Sequence, residues 1–239
     1  MDESEASRQS DDARAARILD AAASLIAHYG YDKTTVSDIA REAGVSKGAI
    51  YLHWRSKDEL VEALFWRDIW NYMDDWLARL EADPEGGTFR GMFKHAALAL
   101  ESYPFLKAVM GRDMRVIGSM VQRGRFSFAS ESLMVRTEMF STLQSLGAVR
   151  ADVDPEVAAY AFACFRYGLL KIGEVVPPEK APPLETVITF IAEMLERSLA
   201  PEDGAANVDA VRQLMHHMGA QLREQVNQAR QAGPAAPEA

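Results

Sequence analysis

The chain has 239 residues, 48% hydrophobic and 26% charged, a globular balance with enough apolar mass for a core of its own. A single cysteine, Cys164, excludes a disulfide framework and a multi-cysteine zinc site, and no charge-free stretch approaches the ~20 residues of a membrane helix. The net charge of −9 argues as an average against nucleic acid, but the average conceals a local asymmetry.

Period-two alternation and hairpin dipeptides are nearly absent, so the pattern predicts an all-α protein. Residues 1–11 read as a polar, disordered arm without the features of a secretory signal, and the expected location is the cytoplasm. A first helix from about Asp12 to Tyr29 puts Ile18, Ala22, Leu25, Ile26 and Tyr29 on one face and stops at Gly30. Three more helices fit between Thr35 and about Leu80, the third a long one from Ser56. Further helices are expected near 88–101, 104–121, 125–146, 155–175 and 183–199, with Asp154-Pro155 as a start signal. Pro201 to Ala206 reads as a linker. Val208, Val211, Met215, Met218, Leu222 and Val226 then form a stripe on a final helix, and 231–239 is a low-complexity tail. The expected domains are 12–60, 61–200 and 201–230.

Thr34 to Leu60 carries the most information. Thr35 can cap a short helix from Val36, with Asp38 returning the bond. That helix ends at Gly44, a residue suited to positive φ. Ser46 caps a second helix, Lys47 to about His53, and Ser56 with Glu59 suggests another capping box before the long helix. Ile39, Ala43, Val45, Ile50 and Trp54 have the spacing to share one small core. Helix, four-residue turn and helix is the arrangement that lays its second helix in the DNA major groove. Residues 33–57 hold five basic side chains (Lys33, Arg41, Lys47, Arg55, Lys57) against Asp38 and Glu42. A basic island on an acidic chain binds phosphates in one orientation while the remainder is repelled. Gly48 costs about 1 kcal/mol of helix propensity relative to alanine, which makes sense where backbone approaches a ligand closely.

Gly30-Tyr31, Thr34-Thr35, Ile39-Ala40, Ala43-Gly44-Val45-Ser46, Gly48, Tyr51-Leu52-His53-Trp54, Lys57 and Leu60 together resemble the TetR family of transcriptional regulators, from Ile18 to Leu64. Trp54 departs from the phenylalanine usual in the family. The resemblance implies a three-helix DNA-binding domain joined by a long helix to a larger helical ligand-binding and dimerisation domain. It implies that Thr35 and Lys57 contact phosphates, that Ser46, Lys47, Gly48, Ala49 and Tyr51 face the groove, and that Tyr51 and His53 bond backbone or base edges. It also implies a double-stranded operator, a homodimer and a repressor's role.

No catalytic motif or paired carboxylate constellation is present, so neither an enzyme nor a cofactor is expected. Cys164, in the apolar stretch Val157–Phe165, is expected to be a buried small hydrophobe. His216 and His217 are adjacent and point apart on a helix, as surface residues do. The helix 155–175 is apolar nearly all round and 183–199 carries a stripe of Leu184, Val187, Ile188, Ile191, Met194 and Leu195, so both are expected in a dimer seam. Large, adaptable side chains between 66 and 140 read first as core and second as a ligand cavity. The candidates for that cavity are Trp70, Phe93, Phe105, Met110, Met114, Phe126, Met134 and Phe165; Arg112, Arg115 and Arg166 read first as surface partners of Glu or Asp and second as partners for an acidic headgroup. A small apolar or amphipathic effector would release DNA by tilting the long helix, a rod of ~37 Å. The alternative is a constitutive DNA-binding regulator or scaffold with no effector.

Overall fold

The computed structural model describes residues 3–119, 137–201 and 207–232, and all regular structure in them is helical. In chain order the helices are α1 (Glu3–Tyr29), α2 (Val36–Glu42), α3 (Lys47–His53), α4 (Lys57–Ala82), α5 (Phe89–Leu100) and α6 (Pro104–Met110). They continue with α7 (Met114–Ile117), α8 (Thr137–Ser145), α9 (Pro155–Lys171), α10 (Leu184–Leu199) and α11 (Val208–Ala232). Two compact units divide the chain. One is Met1–Tyr72, Leu100–Val135 and Phe162–Ala181; the other is Met73–Ala99, Arg136–Ala161 and Pro182–Ala239. The division falls inside α4, whereas the sequence reading divides the chain after residue 60.

In the first unit, Ile18, Ala22 and Ile26 recur every four residues along α1 and are fully buried. Ile39 of α2, Ile50 of α3, and Leu60, Leu64 and Phe65 of α4 are buried too. Each such side chain stabilises the fold by about 1.5–3 kcal/mol. Arg67 of α4 ties this helix to α1, donating from Nη1 to the Asp20 carboxylate at 2.7 Å and from Nη2 to Asp68 at 2.9 Å. Burial raises the Asp68 carboxyl above its ordinary value, against the opposing pull of Arg67.

Several expectations need correction here. The segment read as a disordered arm is helical from Glu3. Its Glu, Ala, Arg and Gln are good helix formers, and polarity alone does not prevent a helix. Tyr29, expected on the core face, is exposed and meets His28 edge-on, with ring centroids 4.4 Å apart. The single helix expected over 104–121 is broken. Gly111 caps α6, Arg112 takes φ +49°, and the Asp113 carboxylate accepts the Arg115 N–H at 3.0 Å to start α7. α9 stops at Lys171 rather than 175, passing into a 3₁₀ turn over Ile172–Glu174 that contains Gly173. Cys164 is exposed, not buried, because the face of α9 that carries it is bare in the single chain. Of the helix expected over 125–146, α8 is the described part.

In the second unit, the Phe89 and Phe140 rings lie 5.7 Å apart, and Met92, Phe93, Leu143, Ile188, Ala192, Leu195 and Leu199 are buried. Glu196 of α10 accepts the backbone N–H of Arg90 at 2.7 Å, supplying the first turn of α5 with an acceptor. The last helix, α11, buries Val211, Met215 and Val226, while Met218 faces outward rather than joining the stripe. Arg212 donates to the carbonyls of Leu80 and Pro84 at 3.1 Å each, and also to that of Asp83. Leu80 lies in the last turn of α4, whose carbonyls lack intrahelical partners, and Asp83 and Pro84 follow it directly, so α11 caps the end of α4. The linker core at 202–206 and the tail from 233 lie outside the described residues. Among the described residues no helix is long and apolar enough to cross a membrane.

Candidate nucleic-acid interface

The reading head is α2, a turn and α3. Thr35 and Asp38 form the expected capping box, and Asp38 also pairs with Arg41 at 2.8 Å. The Thr35 hydroxyl and backbone, with Arg41, hold the Asp38 carboxyl below its ordinary value. Gly44 takes φ +65° in the turn, and the Val45 N–H returns to the Ala40 carbonyl at 2.9 Å. Ser46 then caps α3, its Oγ accepting the Ala49 N–H at 3.1 Å. Ile39, Ile50 and Trp54 are buried as expected, and Ala43 and Val45 are half-buried.

That packing decides what α3 shows to solvent. Ser46, Lys47, Gly48 and Tyr51 are exposed, Tyr51 by 52%, and Ala49 is half-buried at the edge of the same surface. A Cβ at Gly48 would meet nothing closer than Ser46 Oγ at 3.7 Å, so nothing inside the chain demands a glycine there. Leu52, at 83% exposure, and Arg55 are exposed as well; the sequence counted Arg55 in the basic island but gave Leu52 no role at the groove. The available signal was helical phase: Leu52 follows Gly48 by four residues.

Two expected DNA ligands sit deeper. His53 is half-buried, its ring 5.3 Å from that of Trp54, and its Nε2 is buried without a hydrogen-bond partner among the described residues. Lys57 donates from Nζ to the carbonyls of Tyr31 at 2.9 Å and Thr34 at 3.0 Å, and stacks 3.7 Å above the Tyr31 ring. Two of its three N–H donors therefore hold the α1–α2 loop. The capping box at Ser56 is also altered. Ser56 Oγ accepts the Glu59 N–H at 3.1 Å, but the Glu59 carboxylate takes the Arg55 N–H instead of returning to Ser56.

Most of the residues expected to line a ligand cavity fall in the first unit. Trp70, stacked on Trp66 at 5.7 Å, and Phe105, Met110, Met114 and Phe165 belong to the first unit; Phe93 is buried in the second. Met114 is exposed. Phe126 and Met134 lie outside the described residues. Arg115 pairs with Asp113 at 2.8 Å, and burial pushes the Arg166 guanidinium below its ordinary value. Among the described residues no cluster of His, Cys, Asp and Glu could hold a metal ion.

The model of bacterial regulatory proteins of the tetR family matches residues 18–64, the span that builds this head and its neighbours α1 and α4. The transcriptional repressor Rv1474c of Mycobacterium tuberculosis is 48% identical over 188 residues, covering 78% of this chain and 95% of that protein. The chain belongs to the TetR family. It is a helix-turn-helix transcriptional regulator. The A-factor receptor protein of Streptomyces griseus is 28% identical over 66% of the chain, which spans only 54% of that receptor. The chain spans 32% of the fatty acid metabolism regulator of Bacillus subtilis. The fold is that of other TetR-like structures. The fatty acid degradation regulator FadR of Bacillus halodurans matches with a TM-score of 0.60 at 18% identity, over 77% of this chain and 94% of that one. AibR, solved with isovaleryl coenzyme A and operator DNA, matches with 0.57 at 23%, over 77% and 99%.

Proposed function

We propose that this TetR-family regulator represses transcription by binding a palindromic operator as a homodimer, and that a small apolar or amphipathic ligand releases it. The observation that carries the reading is the outer surface of α3: exposed Ser46, Lys47, Gly48 and Tyr51, with Ala49 at its edge, on a helix anchored by Ile50. Lys47 supplies charge for phosphate, and Gly48 lets backbone approach the groove. Thr35, at the start of α2, reaches a phosphate. In this reading Lys57 contacts a phosphate from a position where it also fixes the α1–α2 loop, and His53 lies at the end of α3, beside the groove-facing surface.

One head reads only a few base pairs, and two placed roughly 34–36 Å apart read a palindrome. The pairing surface proposed is on α9 and α10. Val157 and Tyr160 of α9 are 64% and 75% exposed, and Phe190 of α10 is 67% exposed. Large apolar side chains so disposed along neighbouring turns mark an interaction surface. The effector reading rests on the half-buried aromatics and methionines of the first unit. It is supported by the acyl-coenzyme A thioesters in the structures of AibR and of FadR from Bacillus subtilis. Such a regulator works beside the chromosome, in the cytoplasm.

Selection of duplexes from a random-sequence library by the purified protein tests the reading. Enrichment of an inverted repeat, bound with a stoichiometry of two chains per repeat or a multiple of it, supports it. Recovery of no common sequence sinks it.

A further inference from the structure

We infer that a clasp between the α1–α2 loop and the end of α7 couples the reading head to α6 and α7, so that operator DNA and any ligand moving those helices bias each other through it. The inference rests on the DNA-binding reading above and lies wholly within the first unit.

The loop of Tyr31, Asp32, Lys33 and Thr34 is gripped from two sides. On one side, the Tyr31 N–H donates to the Val116 carbonyl at 2.7 Å. Ser119 donates twice to the Asp32 carboxylate, from its N–H at 3.1 Å and from its hydroxyl at 2.6 Å. On the other side, Lys57 Nζ holds the carbonyls of Tyr31 and Thr34, and the Tyr31 hydroxyl donates to Asp58. Asp58 and Lys57 open α4, and Thr35 caps α2 immediately after the loop.

Two glycines make the approach possible. Gly30 takes φ +87°, and a Cβ there would overlap the Arg115 carbonyl. Gly118 takes φ +46°, and a Cβ there would overlap the Asp32 carboxylate. Both conformations suit glycine alone, and both close-packed sites are where α7 meets the loop. Hydrogen bonds to an ionised carboxylate are stronger and shorter than neutral ones. A shift of α7 is therefore not absorbed by the loop; it moves the cap of α2 and the cation that opens α4. Phe105, Met110 and Met114, candidates for ligand contact, lie on α6 and α7. Reciprocity follows: the factor by which a ligand on α6–α7 changes DNA affinity is the factor by which DNA changes that ligand's affinity.

The test needs no ligand. The probe is a duplex that the protein itself enriches from a random library, and the readout is amide hydrogen exchange. In the natural chain, saturating duplex slows exchange at 36–53 and, by at least threefold, at 104–119. In Asp32→Ala the protection at 36–53 persists and that at 104–119 falls to less than half. Ser119→Ala, which keeps the carboxylate and loses one donor, gives an intermediate loss and serves if Asp32→Ala misfolds. Protection at 104–119 that survives both substitutions, or that is absent from the natural chain while 36–53 is protected, overturns the clasp. No protection at 36–53 by any enriched duplex overturns the DNA-binding reading itself, and the clasp with it.

Discussion

The Thr35 hydroxyl accepts the Asp38 backbone N–H at 3.2 Å, while the Asp38 carboxylate accepts the Thr35 backbone N–H at 3.1 Å. This reciprocal pair starts α2 and thereby aims the turn and α3. Thr35→Ala should cost about 1 kcal/mol of stability, the ordinary value of a lost N-cap. The Asp38 carboxyl is held below its usual value of 3.8 by the Thr35 hydroxyl first, then by the Thr35 backbone and Arg41. A depressed folded pKa stabilises fully above the unfolded value, and that stability is lost as pH falls through the folded value. Titration of Asp38 by NMR should show its pKa rising toward 3.8 in Thr35→Ala; an unmoved value would mean the hydroxyl does not hold the carboxylate in solution.

Lys47 and Lys57 should separate cleanly. Lys47 is exposed and has no hydrogen-bond or ion-pair partner among the described residues, so Lys47→Ala should leave the melting temperature within about 1 °C and reduce the salt slope of DNA binding by about one. Lys57→Ala takes its donor from the Thr34 carbonyl and leaves the Tyr31 carbonyl only the Thr34 N–H, at ~1–3 kcal/mol, and should lower the melting temperature as well as affinity. Equal melting temperatures for both variants would show that the Lys57 contacts do not stabilise the loop.

The proposed seam predicts that Tyr160→Glu combined with Phe190→Glu yields a monomer by light scattering, with operator affinity down at least tenfold. Neither side chain is buried within the chain, so the fold should survive, as helical circular dichroism would verify. A double variant that stays dimeric places the seam elsewhere.

Arg212 offers a test inside the second unit. Arg212→Met removes the donors from the carbonyls at the end of α4 and should destabilise by roughly 1–3 kcal/mol. At about 2–4 °C per kcal/mol for a chain of this size, thermal melting would register it. An unchanged melt would mean that α11 is not a brace for α4.

The reading head was legible because capping, turn and core signals agree over one short stretch: Thr35 with Asp38, Gly44, Ser46, then Ile39, Ile50 and Trp54 at helical spacing. α10 was legible through its long apolar stripe, and α4 through the capping signal at Ser56. The break between α6 and α7 was not, because Gly111 in a helical pattern is tolerable and only its surroundings decide whether the chain stops. Lys57 read as a phosphate ligand because its charge is visible in the sequence, whereas the carbonyls it holds at Tyr31 and Thr34 are brought to it only by folding. Cys164 read as buried because apolar neighbours imply a core, and the sequence does not distinguish a core from an exposed apolar face. The clasp left no pattern at all: Asp32 and Ser119 are 87 residues apart.

The bare position of Cys164 on α9 gives the molecule a built-in reporter. With a single thiol in the chain, a maleimide dye attaches at one place without any engineering. Alkylation kinetics followed across a dilution series would then slow as subunits pair over that helix, turning a chance sulfur into a gauge of self-association.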